Sequence, residues 1–226
     1  MTSHTDHSLR RDAVSQPSPD PGNATLFGLV RHAETMWNRE RRIQGSNDSP
    51  LTEQGRREAS QWGALLQPQG WQRILASDLG RTRATVKRLN RHLDLPIRFD
   101  PRLRELDWGE WTGRCIDDLV ANCRDEVDAS YKEGWFFAPP GGENRASLRN
   151  RAAEALAGAH RRWSGHRILV VCHEGVIKAL IYHLLGRQYR ADDPPLRLRK
   201  KHLHRIVCDA EGLHVDNLNA LCLEKM

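Results

Sequence analysis

No apolar run in this 226-residue chain approaches the roughly 20 residues needed to cross a bilayer, which argues against a helical membrane protein. The arginines at positions 10 and 11 are followed by no apolar segment, so neither a secretory leader nor a twin-arginine signal is expected. On these two absences the chain reads as cytoplasmic. Cysteine is scarce: the five residues at 115, 123, 172, 208 and 222 form no CxxC, and their odd number and irregular spacing fit neither a disulfide framework nor a zinc knuckle. Cys172 and Cys208 lie in apolar runs, where a free thiol behaves as a small buried hydrophobe. A GxxxxGK loop and an HExxH motif are both missing, and no internal repeat is present. Residues 1–23 carry almost no apolar side chains and include Pro17, Pro19 and Pro21, so they are expected to form a disordered tail ahead of a single domain at 24–226. His4 and His7 in that tail are read as incidental rather than as a metal pair.

What is present is a basic chain, 35 Lys and Arg against 29 Asp and Glu, in which strand-like and helix-like segments alternate. Leu26 to Val30, Arg73 to Ala76, Ile97 to Phe99 and Ile168 to Cys172 read as strands. Helices are predicted over Thr52 to Leu66, Leu79 to Leu93, Thr112 to Tyr131, Glu143 to Trp163 and Val176 to Leu185. A hairpin is predicted from His204 to Asp209 and Leu213 to Asn217, around Ala210-Glu211-Gly212. This alternation predicts the α/β class: a three-layer α/β/α sandwich with a mostly parallel central sheet and helices on both faces.

Three strand ends carry the chemistry. The first strand runs into Arg31-His32, the second into Ser77-Asp78 and then Arg81, and the fourth into His173-Glu174-Gly175. In a parallel sheet these ends share one edge, where helix N-termini also favour anions. Arginine presents a planar fork of donors suited to phosphate, and a neutral imidazole beside it is a nucleophile near pH 7. A fourth segment, Leu103 to Gly113, alternates apolar and acidic residues. Glu105, Asp107 and Glu110 are its candidates for the carboxyl group that protonates a leaving oxygen. Two arginines can neutralise the equatorial oxygens of a transferring phosphoryl group, so neither a metal nor another cofactor is called for.

These residues fall in motifs that resemble the histidine phosphatase superfamily, the phosphoglycerate-mutase-like proteins. The motifs are RHAETMWNRERRIQGSNDSPLTEQGRREA from Arg31, ASDLGRTRAT from Ala76, LRELDWGEWTG from Leu103, PPGGE from Pro139 and VVCHEGVIKAL from Val170. The resemblance spans about residues 26 to 220. It implies that His32 becomes a phosphohistidine, that Arg31, Arg81 and His173 bind the transferring phosphoryl group, and that Glu105 is the proton donor. It also implies that Asn38 and the backbone around Gln44-Gly45 line the same pocket or its entrance.

The chain departs from the family pattern at Glu174, where glycine commonly follows the second histidine. Two readings stay open: a side chain turned outward at a helix N-terminus, or a substrate-selecting or second acid group in the pocket. The motifs resemble the small-molecule phosphatases, including those similar to α-ribazole phosphatase, more than the mutases. The expected activity is therefore metal-independent hydrolysis of a small phosphorylated metabolite, with mutase-type phosphoryl transfer and a non-catalytic phosphate-binding protein as alternatives. Trp37, Trp108, Trp111, Trp135 and Phe136-Phe137 could stack on an aromatic leaving group or pack in core and lid. Arg197, Arg199, Lys200, Lys201 and Arg205 form an acid-free basic run, but no aromatic interleaves it. It is read as solvated or as drawing an anionic substrate inward, so the expected partner is a small phosphorylated substrate rather than nucleic acid, with no membrane. Oligomeric state is left open, a homodimer being one option.

Overall fold

The computed structural model describes residues 23–189, 193 and 196–224. Except for Asn23, the expected tail lies outside this range; Ser164 Oγ donates to the Asn23 carbonyl at 2.8 Å, just ahead of the first strand. Six strands form one sheet: β1 (Thr25–Arg31), β2 (Arg73–Ala76), β3 (Ile97–Phe99), β4 (Arg167–Cys172), β5 (His202–Asp209) and β6 (Gly212–Cys222), in the order β3-β2-β4-β1-β5-β6. The ladders β2–β3, β2–β4 and β1–β4 are parallel, while β1–β5 and β5–β6 are antiparallel. The sheet is thus mixed, with a parallel half that holds the chemistry and a hairpin added beside β1.

Side-chain alternation explains why both faces are covered. On β4, Ile168, Val170 and Cys172 join one apolar cluster, and Leu169 and Val171 join another. The first cluster is completed by α6 (Arg145–Arg162) and α7 (Glu174–Leu184), and the second by α2 (Glu53–Leu66) and α3 (Gly80–Leu93). These are the two outer layers of an α/β/α sandwich. Among the described residues, no helix is long and apolar enough to cross a membrane.

Two elements depart from the pattern. A short helix, α1 (Met36–Arg39), opens with a capping box in which Thr35 and Asn38 exchange side-chain-to-backbone bonds. The single helix predicted over Thr112 to Tyr131 is instead two, α4 (Ile116–Asn122) and α5 (Arg124–Lys132). The chain before α4 cannot be helical because its backbone is committed elsewhere: Gly113 N–H bonds to the Ile43 carbonyl, Ile43 N–H to Arg114, and Ile116 N–H to Arg41. Cys123, at φ −134° and ψ 33°, then breaks α4 from α5.

Candidate functional site

The carboxyl ends of β1, β4 and β2 meet in a cavity of about 1040 Å³ lined by Arg31, His32, Arg81, Glu105 and Glu174, among others. The sheet order places β4 between β1 and β2, so the three strand ends predicted to carry chemistry are immediate neighbours.

His32 follows β1 directly, and its backbone N–H bonds to the Cys172 carbonyl at 3.0 Å. Its Nδ1 lies 2.8 Å from the Ala33 carbonyl. A carbonyl can only accept, so Nδ1 carries the hydrogen and Nε2 keeps its lone pair. Burial holds the ring's pKa well below the ordinary histidine value, and the charges of Arg31 and Arg81 push it the same way, against the Ala33 hydrogen bond. His32 is therefore neutral at pH 7, with one nitrogen free to attack.

His173 is the N-cap of α7 and fully buried, its ring centroid 5.2 Å from that of His32. Its Nε2 lies 2.9 Å from Ser77 Oγ, at the end of β2, while its Nδ1 has no partner among the described residues. It sits behind the cavity wall rather than in it. Burial, then Arg81 and His32, lower its pKa as well.

Arg81 lies in the first turn of α3, almost wholly buried. The loop after α1 fixes it: Nη1 donates to the Asn47 carbonyl at 2.8 Å and to Asp48 Oδ1 at 2.9 Å, and Nη2 donates to the Gly45 carbonyl at 2.8 Å. Asp48 also accepts the backbone N–H groups of Gly80 and Arg81, supplying the cap that Leu79 cannot. Arg81 Nε is buried and remains unpartnered among the described residues. Gln44 lines the cavity too, with its Oε1 buried and unpartnered. Asn38 is on the wall, but its Oδ1 already accepts the Thr35 N–H at 3.2 Å.

Of the three candidate carboxylates, only Glu105 reaches the cavity. Its Oε1 accepts the Leu106 N–H at 2.9 Å and its Oε2 the Gly175 N–H at 3.2 Å. Asp107 is turned into its own loop, accepting the Gly109 N–H, and Glu110 lies outside the lining. Gly175 leaves room for this approach, since an added Cβ would fall on Glu105 Oε1 and push the carboxylate aside. From α6, Arg151 donates to the carbonyls of Arg102, Arg104 and Glu105 at 2.7, 2.7 and 2.9 Å, while Glu143 grips its guanidinium with both oxygens at 2.7 Å. The PPGGE motif thus acts at one remove, by anchoring the arginine that holds the Glu105 loop.

Glu174 is neither turned outward nor free to act as an acid. Its Oε2 accepts from Arg31 Nη1 at 2.6 Å and its Oε1 pairs with Lys178 at 2.8 Å. Burial pushes its pKa up, but the charges of Arg31, Lys178 and Lys200 outweigh burial and hold it below the usual carboxylate range. In the basic run, Lys200 and Lys201 line the cavity, while Arg205 is spent on Asp216 at 2.6 Å. Of the aromatics, Trp111 and Phe137 are core, Phe136 is 71% exposed away from the cavity, and Trp108 and Trp111 contribute to its wall.

Residue identities alone did not single out Ser77, Asp48, Arg151 or Gly175. Each works through a backbone or buried partner distant in the chain, and only the glycine after His173-Glu174 left a trace in the sequence.

A mixed sheet between two helical layers, with two histidines and two arginines gathered around the ends of β1, β2 and β4, is the arrangement of the histidine phosphatase α/β fold. The chain belongs to the histidine phosphatase superfamily, branch 1, whose model matches residues 27–221. It is 40% identical over 181 residues to the Salmonella paratyphi B protein named "Probable phosphoglycerate mutase GpmB", covering 79% of this chain and 82% of that one. Among solved structures, it is similar to Bacillus stearothermophilus YhfR, with a TM-score of 0.80 and 31% identity over 88% of this chain and 98% of the other. The mycobacterial glucosyl-3-phosphoglycerate phosphatase aligns with a TM-score of 0.75 and 27% identity, covering 88% and 100%.

Proposed function

We propose that this protein is a metal-independent phosphomonoesterase that works through a phosphohistidine at His32. The observation that carries the reading is the state of that ring: neutral, locked by the Ala33 carbonyl with Nε2 unprotonated, and set between two guanidinium groups. In the first step Nε2 forms a bond to phosphorus as the bond from phosphorus to the ester oxygen breaks, and Glu105 gives its proton to the departing oxygen. Arg31 and Arg81, which line the cavity, hold the equatorial oxygens, where charge must be stabilised, and His173 backs the His32 ring from behind the wall. In the second step Glu105 takes a proton from water, which attacks phosphorus and releases inorganic phosphate, restoring His32.

The test is trapping. With a phosphorus-labelled ester, the intact protein should retain acid-labile, base-stable label, and His32→Ala should retain none while losing turnover. Hydrolysis that survives EDTA is expected; strict dependence on an added divalent cation would overturn the reading.

Transfer back to the substrate alcohol, as in a mutase, is the second reading, favoured by the name of the relative at 40% identity. Measuring inorganic phosphate release and 2-/3-phosphoglycerate interconversion on the same sample separates the two.

A further inference from the structure

The cavity is far larger than a phosphoryl group requires. At about 1040 Å³ it is at the upper end of the range for pockets that hold drug-sized ligands. One stretch of its wall is apolar, formed by Leu106, Trp108, Ile116, Leu119, Val120 and Val127, while charged side chains such as Arg41, Glu58 and Lys201 line other parts. On α4, Ile116, Leu119 and Val120 recur at helical spacing and line the cavity, whereas Asp117 on another face pairs with Arg41 at 2.9 Å. An apolar face of this kind is normally buried, yet Ile116 and Val120 are 39% and 44% exposed. They are the exposed large apolar side chains that face the cavity; Phe136, Ile97 and Leu185 are exposed elsewhere.

The same loop joins this wall to the phosphate end. Gly45 offers its carbonyl to Arg81 Nη2 and packs against Trp108 and Thr112, while Ile43 and Arg41 are hydrogen-bonded to the residues that lead into α4. A ligand whose phosphoryl group sits between Arg31 and Arg81 therefore has Trp108 and the α4 face as continuations of one cavity.

We infer that the leaving group is a bulky apolar or aromatic alcohol, held by Trp108 and the Ile116–Val120 face of α4. This rests on the reading of His32, Arg31 and Arg81 as the phosphoryl site. A small polar alcohol would leave that face wet, whereas an aromatic ring would cover it and gain affinity from the buried apolar area.

Binding of two non-hydrolysable phosphonates by calorimetry tests this independently of turnover. (2-Naphthyl)methylphosphonate should bind the full chain about tenfold or more tighter than methylphosphonate, given the area a naphthyl ring buries. Ile116→Asp and Val120→Asp should bring the ratio of the two affinities towards one. Val120→Thr, similar in shape, guards against a folding defect and should reduce the ratio less. Phe136→Ser, on the exposed residue outside the cavity, should leave the ratio where it is. Equal affinities in the wild type, an unmoved ratio in the α4 variants, or tighter binding of phosphonoacetate than of the naphthyl compound would overturn the inference alone. Binding of none of these phosphonates would overturn the phosphoryl-site reading with it.

Discussion

Arg31 and Glu174 are locked together, Nη1 to Oε2 at 2.6 Å, so one of the guanidinium groups proposed to hold phosphate already holds an anion of the protein's own. Lys178 holds the other carboxylate oxygen at 2.8 Å, and Glu174 stays ionised at pH 7. A dianionic phosphate entering beside Arg31 meets a like charge a few ångströms away.

Glu174→Gln removes that charge and keeps the shape. We expect inorganic phosphate to become a better competitive inhibitor by about three- to thirtyfold, the range for one unit charge at close range in a partly screened site. A weaker phosphate complex in the variant would mean that the carboxylate serves to aim Arg31 instead.

Gly175→Ala should act as a mutation of Glu105 without touching it, because the new methyl group displaces the carboxylate. Loss of a positioned acid costs about 10²–10⁴ in rate. The loss should be larger for an alkyl phosphate than for p-nitrophenyl phosphate, whose leaving group needs little protonation. Equal losses on both esters would count against Glu105 as the acid.

Three buried histidines link stability to pH. Burial lowers the pKa of His32 and His173 well below the ordinary histidine value, and that of His204 to about 4. In the unfolded chain each titrates near the ordinary histidine value of about 6.5. The unfolded state therefore binds more protons below that value, and the stability present above it drains away as pH falls towards the folded values. Urea midpoints should be flat from pH 8 to pH 7 and fall between pH 6.5 and pH 4. His204→Gln should flatten part of that slope.

Asp48 serves Arg81 and α3 together. Asp48→Ala removes the helix cap and one partner of a buried guanidinium, so a loss of about 0.5–2 kcal/mol from the cap alone is expected in denaturant titrations. Weaker phosphate binding should accompany it as Arg81 loses its alignment. Asp48→Asn, which keeps one acceptor, should lie between the two.

The sheet and the strand ends that line its cavity were legible because they rest on local signals. Ile168 to Cys172 is apolar throughout, as a strand buried on both faces must be, and Arg31-His32 follows β1 at the point where apolar residues stop. Helix boundaries were read well wherever a cap was local, as at Thr52, whose Oγ1 accepts the Gly55 N–H at 2.9 Å. The split between α4 and α5 was not legible, since the bonds that hold residues 113–116 extended come from residues 41–43. Glu174 was undecidable for the same reason: its partner Arg31 lies 143 residues away. Asp48, Ser77 and Arg151 carry no signature of their own, because each is defined by what the folded chain brings to it.

Strand β1 lies between β4 and β5, paired on both sides, and His32 is tied on beyond its end to Cys172. Detaching the backbone of the proposed nucleophile would mean parting the middle of the sheet, so the amides of Leu29 to His32 are expected to exchange with solvent only through global opening. His32 meanwhile lines the cavity. The side chain proposed to react is thus carried by backbone expected to be among the last to open.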